Sequence, residues 1–265
     1  MQLRDILRNN VREKLAQGGV VSSMTVKLVR GIEIARIAKT AGFDSIYVDA
    51  EHSSFSLDTT GQICMAAADI GIAPFVRVPA NTPEYISRVL DGGALGVIAP
   101  HVRTAEEARA VVRAAKFPPL GERGVSAGLP HLHFRTFPPA EAYAALNDAT
   151  MVIVQFESAA AIARAEEIVA VAGVDMVLIG TNDMLADMGL SGQYDHPKVR
   201  EAYETTIAAC RRRGKHVGVG GLSSRPDLVA EFVRMGARYV STGTDLAFLL
   251  GAATERAKRI AALAP

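Results

Sequence analysis

The sequence contains no tryptophan and only two cysteines, Cys64 and Cys210. Both sit beside alanines in helix-like stretches far apart in the chain, so a disulfide framework is excluded. Charge of a dominant sign is also missing. With 29 Lys and Arg against 28 Asp and Glu, no global field steers the chain toward nucleic acid or an anionic membrane. The densest basic run, residues 211–213, reads as a helix C-terminus meeting its own dipole. No uncharged apolar run reaches membrane-spanning length. At the N-terminus Leu3, Ile6, Leu7, Val11 and Leu15 fall at helical spacing, interrupted by Arg4, Asp5, Arg8, Arg12 and Glu13. That pattern predicts a helix over 1–18 and lacks the apolar core of a signal peptide, so a cytoplasmic protein is expected.

What is present is a rhythm. From about residue 20, short β-branched runs alternate with amphipathic stretches without a linker: VVSSMTVKL, DSIYVDA, APFVRVP, LGVIAP, MVIVQFE, DMVLIG, HVGVGG and YVSTGT make eight candidate strands. Near-continuous apolar strands belong to parallel sheets covered by helices, and eight βα units favour a (β/α)8 barrel, one domain over 1–265, above a doubly wound sheet. The irregular stretch 117–137 reads as a lid or an intersubunit arm, and a last helix is expected over 244–263.

In such a barrel the chemistry sits at the C-terminal ends of the strands. There the second strand delivers Asp49, Glu51 and His52, the third Arg77, the fourth His101, the fifth Gln155 and Glu157, and the sixth Asn182 and Asp183. Glu157 and Asp183 are one βα unit apart, so two hard oxygen donors converge as Mg²⁺ or Mn²⁺ requires. The alternative is that Glu157 caps the next helix and Asp183 a turn. Arg77, between two valines, needs an anion, which is either a substrate or an ion pair with Asp49 or Glu51. His52 beside a carboxylate has the makings of a general base, against a helix-capping cluster of Glu51 with Ser53 or Ser54. His131, His133, His196 and His216 lack carboxylate-rich surroundings and read as structural or surface groups.

The stretches AGFDSIYVDAEHSSFS, PFVRVP, VIAPHVRTAEEARAVV, PPLGERG, VQFES, AVAGVDMVLIGTNDMLADMG and YDHP resemble, in order and over essentially the whole chain, the HpcH/HpaI family of metal-dependent class II pyruvate aldolases. The resemblance implies a (β/α)8 barrel whose Glu157 and Asp183 hold a divalent cation, Mg²⁺ or Mn²⁺ before Co²⁺, Ni²⁺ or Zn²⁺. It implies His52 paired with Asp49 as acid/base, Arg77 on the keto oxygen, and the amides around Asn182 and Asp183, near Gln155, on the oxo-acid carboxylate. The implied reaction is reversible cleavage of a 4-hydroxy-2-oxo acid to pyruvate and an aldehyde. A hexamer, a trimer of dimers exchanging the last helix, is implied as well.

One departure stands out. Where many relatives carry a Gly-Pro-x-Asp-Leu-Ser turn, this chain has residues 180–185 as GTNDML, so the loop expected to cradle the carboxylate is altered. Two other chemistries fit the same barrel. One is decarboxylation of a 2-oxo diacid or lysis of a CoA thioester. The other is a phosphate-binding isomerase, suggested by the glycine-rich GVGGLSS and STGTD.

Overall fold

The computed structural model describes residues 3–263. Eight strands, β1 (Val21–Val26), β2 (Ser45–Asp49), β3 (Ala73–Arg77), β4 (Gly96–Ala99), β5 (Met151–Phe156), β6 (Met176–Gly180), β7 (His216–Gly220) and β8 (Tyr239–Thr244), pair in parallel and in sequence order. Pairing of β8 with β1 closes the barrel.

Side chains alternate across each strand, and the alternation sorts the core into two layers. Val48, Val76, Val97, Val154, Val177 and Val219 face outward and pack under the helices. Val21, Tyr47, Phe75, Ile153, Leu178 and Tyr239 face inward and fill the barrel together with Val11 and Leu15. The same parity carried toward the strand C-termini places Thr25, Asp49, Arg77, Gln155, Gly180 and Ser241 at the mouth. The polar rim is thus the continuation of the apolar interior by one more rung.

The helix expected over 1–18 is two short pieces, Leu3–Ile6 and Asn10–Ala16. Asn9 divides them: its Oδ1 caps the second piece at Val11 N and Arg12 N, and its Nδ2 donates to Ala149 O (2.8 Å) at the barrel floor. The lid reading of 117–137 is overturned. A segment joining a helix to the next strand must return to the N-terminal face, and there Arg123 pairs with Asp91 (2.5 Å) and His131 Nε2 lies 2.9 Å from Ala94 O. Nor is it structureless. Pro130–Leu132 form a 3-10 turn, and Phe117, Leu129 and Leu132 join Leu3, Ala142 and Leu146 in a small separate core.

The C-terminal helix, Asp245–Ala261, lies close to the expected bounds and exposes Leu246, Leu249, Leu250 and Ile260. Its first residue fastens the barrel's opening turn. The buried Asp245 carboxylate accepts from Lys27 N (3.1 Å), Leu28 N (3.0 Å) and Val29 N (2.8 Å), the three amides that follow β1. Among the described residues no helix is long and apolar enough to cross a membrane.

Asp245→Ala leaves those amides without an acceptor and is expected to lower unfolding free energy by about 3 kcal/mol. Asp245→Asn, which keeps one acceptor oxygen, should lose less. Urea denaturation of both variants checks this.

Candidate active site

Asp49 and Arg77 are register partners on β2 and β3. Their side chains meet as a fork on a carboxylate, with Arg77 Nε donating to Asp49 Oδ1 at 3.0 Å and Nη2 to Oδ2 at 2.7 Å. Both are almost sealed, at 1% and 7% exposure. Burial works against both charges, but the bidentate bonds outweigh it: Asp49 is held below the usual carboxylate range and Arg77 is more firmly protonated. Arg77 Nη1 also makes an ion contact of 3.0 Å with Glu51 Oε2. The ion-pair alternative for Arg77 therefore holds with both acids at once.

This changes the expected place of His52. Asp49 does not pair with its ring. Asp49 Oδ1 accepts instead from the backbone amides of Glu51 (3.2 Å) and His52 (3.1 Å), folding the turn after β2. The ring is exposed, and its Nε2 lies 3.7 Å from Glu51 Oε2. Ser56, rather than Glu51, Ser53 or Ser54, caps the following helix.

Across the mouth, Glu157 is 5% exposed. Its Oε1 accepts from Gln155 Nε2 at 2.7 Å, and its Oε2 accepts from His101 N at 2.9 Å. Burial pushes the carboxyl pKa up; the His101 amide and ring oppose this, while the negative charges of Asp183 and Glu51 add to it. Ser158, not Glu157, caps the next helix. Asp183 stands exposed in the first turn of the helix Thr181–Asp187, which no side chain caps. Gly180 is required at this point. A Cβ there would come within 2.8 Å of both Gln155 Nε2 and Glu157 Cγ.

His101 binds the two halves of the rim. Its backbone takes a left-handed φ of 56°, a conformation more accessible to His than to most residues. The ring then spans Glu157 Oε2 (Nδ1, 2.9 Å) and Glu51 Oε1 (Nε2, 3.0 Å). When doubly protonated it can donate to both. Of the other histidines, His131 is buried and its pKa is pushed down by burial to about 4, while His196 Nδ1 accepts from Lys198 N.

Asp49, His52, Arg77, Gln155, Asn182 and Asp183 all line one cleft of about 250 Å³ at the mouth. Tyr194 steadies Asn182 through a 2.9 Å bond from its hydroxyl to Oδ1. The opposite wall, of which sequence reasoning raised only the GVGGLSS and STGTD stretches as a phosphate site, is built from Thr25, Lys27, Ser223, Ser241 and Thr244, with the glycine-rich ends of β7 and β8 between them. Inward parity along β1 and β8 was the signal that would have found it.

The donor set fits a divalent cation. Glu157 carries a carboxylate pushed toward protonation by burial first and by its acidic neighbours second, and a cation would relieve both. The buried Oε1 of Gln155 has no hydrogen-bond partner among the described residues. Among the described residues no group of three or more His, Cys, Asp or Glu is placed to hold a metal ion by itself. A two-carboxylate site leaves the remaining positions to water and a chelating ligand, as hard cations of this kind commonly accept.

The chain is 38% identical over 259 residues to a 4-hydroxy-4-methyl-2-oxoglutarate aldolase of Hapsidospora irregularis, covering 96% of each chain. It is 36% identical over 241 residues to a 4-hydroxy-2-oxo-heptane-1,7-dioate aldolase of Klebsiella pneumoniae, covering 91% of this chain and 86% of the relative. The crystal structure of an HpcH/HpaI aldolase from Desulfitobacterium hafniense superposes with a TM-score of 0.91 at 33% identity, covering 97% of this chain and 98% of the other. The sequence model described as HpcH/HpaI aldolase/citrate lyase matches residues 30–252, and the chain belongs to that family.

Proposed function

We propose that the protein is a divalent-metal-dependent aldolase that reversibly cleaves a 4-hydroxy-2-oxo acid into pyruvate, or a closely related 2-oxo acid, and an aldehyde. The observation that carries this reading is the arrangement of Arg77, His52, Gln155 and Asp183 around one cleft at the C-terminal mouth of a family barrel, with the buried Glu157 bonded to Gln155 and within electrostatic reach of Asp183. Relatives named as aldolases of 4-hydroxy-2-oxo acids support it.

Glu157 and Asp183 would hold the cation, Mg²⁺ or Mn²⁺ by the hardness of the donors. When bound, it supplies Lewis-acid charge beside the oxygens of the oxo acid. Cleavage breaks the C3–C4 bond. The proton of the 4-hydroxyl leaves, C4 becomes the aldehyde carbonyl, and the bonding pair passes into the enolate of pyruvate, which then takes a proton at C3.

The residues divide this work. His52, exposed at the mouth with Glu51 at 3.7 Å, takes the hydroxyl proton, and the nearby acid stabilises the imidazolium. Arg77, fixed by Asp49, keeps N–H groups beyond the two committed to that carboxylate and turns them on the oxygen where enolate charge gathers. The uncapped amides opening the helix at Thr181, with Asn182, hold the oxo-acid carboxylate. The exposed apolar residues of the C-terminal helix support exchange of that helix between paired chains, and the hexamer that the family resemblance implies.

Chelation by EDTA is expected to abolish exchange of pyruvate C3 protons with solvent, and Mg²⁺ or Mn²⁺ to restore it, followed by proton NMR in D₂O. The double variant Glu157→Ala/Asp183→Ala should show no exchange at any metal concentration; exchange that persists with metal overturns the assignment. His52→Ala should lower turnover by about 10²–10⁴-fold while calorimetry still detects divalent-cation binding. Arg77→Lys should lose about 10²-fold or more in kcat, because a point charge cannot keep the fork on Asp49 and also serve the enolate oxygen.

A further inference from the structure

Among the described residues the basic groups at the mouth are met by carboxylates, with one exception. Arg77 is met by Asp49 and Glu51, and His101 by Glu51 and Glu157. Lys27, just beyond the end of β1, lines the cleft, and among the described residues no ion pair or hydrogen bond holds its ammonium. Its placement is not accidental to a loose loop. Val21 faces the barrel interior, Thr25 lines the mouth, and Lys27 continues that inward parity one rung above β1. Its backbone amide is tied to Asp245 at 3.1 Å, and the next two amides are tied to the same carboxylate. A fixed backbone holds the root of a long cation in a cleft whose same wall carries hydroxyls: Thr25 and Ser241, bonded to each other at 3.1 Å, with Ser223 and Thr244.

We propose that Lys27 is a specificity-determining residue that receives a carboxylate on the aldehyde half of the substrate, so that the protein acts on 4-hydroxy-2-oxo dicarboxylic acids. This rests on the aldolase reading above. The positions of the groups divide the cleft accordingly: the 2-oxo carboxylate belongs to the β5–β6 side with Asn182 and Asp183, and Lys27, just beyond β1, faces the remainder of the substrate. A partly buried lysine with no ion-pair partner in a small cleft gains most from an anion that meets its ammonium. The side chains that line the cleft with it on this wall are neutral hydroxyls, and the other strong cation of the cleft, Arg77, is already met by Asp49 and Glu51; a single unmatched positive charge suits a monoanionic carboxylate better than a phosphate dianion.

The test is a ratio measured on the metal-loaded protein: kcat/KM for aldol addition of pyruvate to succinic semialdehyde, divided by that for butanal. The wild-type protein should prefer the anionic aldehyde by about tenfold to a hundredfold, the range of a charge-assisted contact. Lys27→Gln should erase most of that preference, chiefly by raising KM for succinic semialdehyde. Lys27→Arg should retain it, and Lys27→Glu should turn it toward butanal, so a variant that folds poorly cannot imitate the pattern. A wild-type protein without the preference, or a ratio in Lys27→Gln within about twofold of wild type, overturns the assignment. A greater gain for glyceraldehyde 3-phosphate over glyceraldehyde than for succinic semialdehyde over butanal overturns the carboxylate. Pyruvate proton exchange by the wild-type protein without any aldehyde separates the two claims: its absence defeats the aldolase reading, whereas exchange with an unmoved ratio defeats Lys27 alone.

Discussion

The buried fork of Arg77 on Asp49 is the contact on which the mouth of the barrel depends. Two adjacent strands end in opposite charges at the same rung, both inside the barrel. Neither charge is tolerable there alone, since removing one partner of a buried pair costs about 3–5 kcal/mol. Asp49 does more than neutralise Arg77. By accepting from the amides of Glu51 and His52 it folds the turn that carries the proposed base, and Glu51 in turn reaches Arg77 and His101. One carboxylate therefore sets the direction of a guanidinium, the course of a turn and the station of an imidazole.

How far this was readable from sequence depends on the kind of constraint. Strand order and closure followed from repeated βα units, because burial on both faces demands continuous apolar runs and these stand out from amphipathic helices. The residues of the rim were legible for the same reason: a charged group directly after a buried strand has only the barrel end to occupy. Side-chain partnership was not legible. Asp49 and His52 are close in sequence, yet a turn spends the carboxylate on amides, and nothing in composition distinguishes that from a bond to the ring. His101 owes its bridging position to a left-handed backbone, which no spacing reveals. The placement of 117–137 was available from topology, since helix-to-strand connections return to the N-terminal face, but its irregular composition read more readily as a lid.

The two faces of the barrel carry opposite burdens. On the N-terminal side polar groups are consumed by structure. Lys116, its pKa lowered by burial to about 8, donates to the carbonyls of Asn147 and Thr150, and Asn147 bonds both the amide and the carbonyl of Phe117. On the C-terminal side Lys27, Asn182 and Asp183 leave donors or acceptors open toward the cleft. This is the separation of stability from chemistry general to (β/α)8 barrels. Of the altered residues 180–185, Gly180, Asn182 and Asp183 line the cleft, whereas Thr181, Met184 and Leu185 are buried beneath it.

The floor plugged by Val11 and Leu15 has a kinetic meaning. A filled barrel offers no passage through its axis, so both fragments of a cleaved molecule share one doorway. The piece lodged deeper cannot depart before the piece in front of it. Turnover on such a scaffold is sequential traffic: the outer fragment exits first, and the retained one, when abundant in solution, holds the doorway against the next arrival.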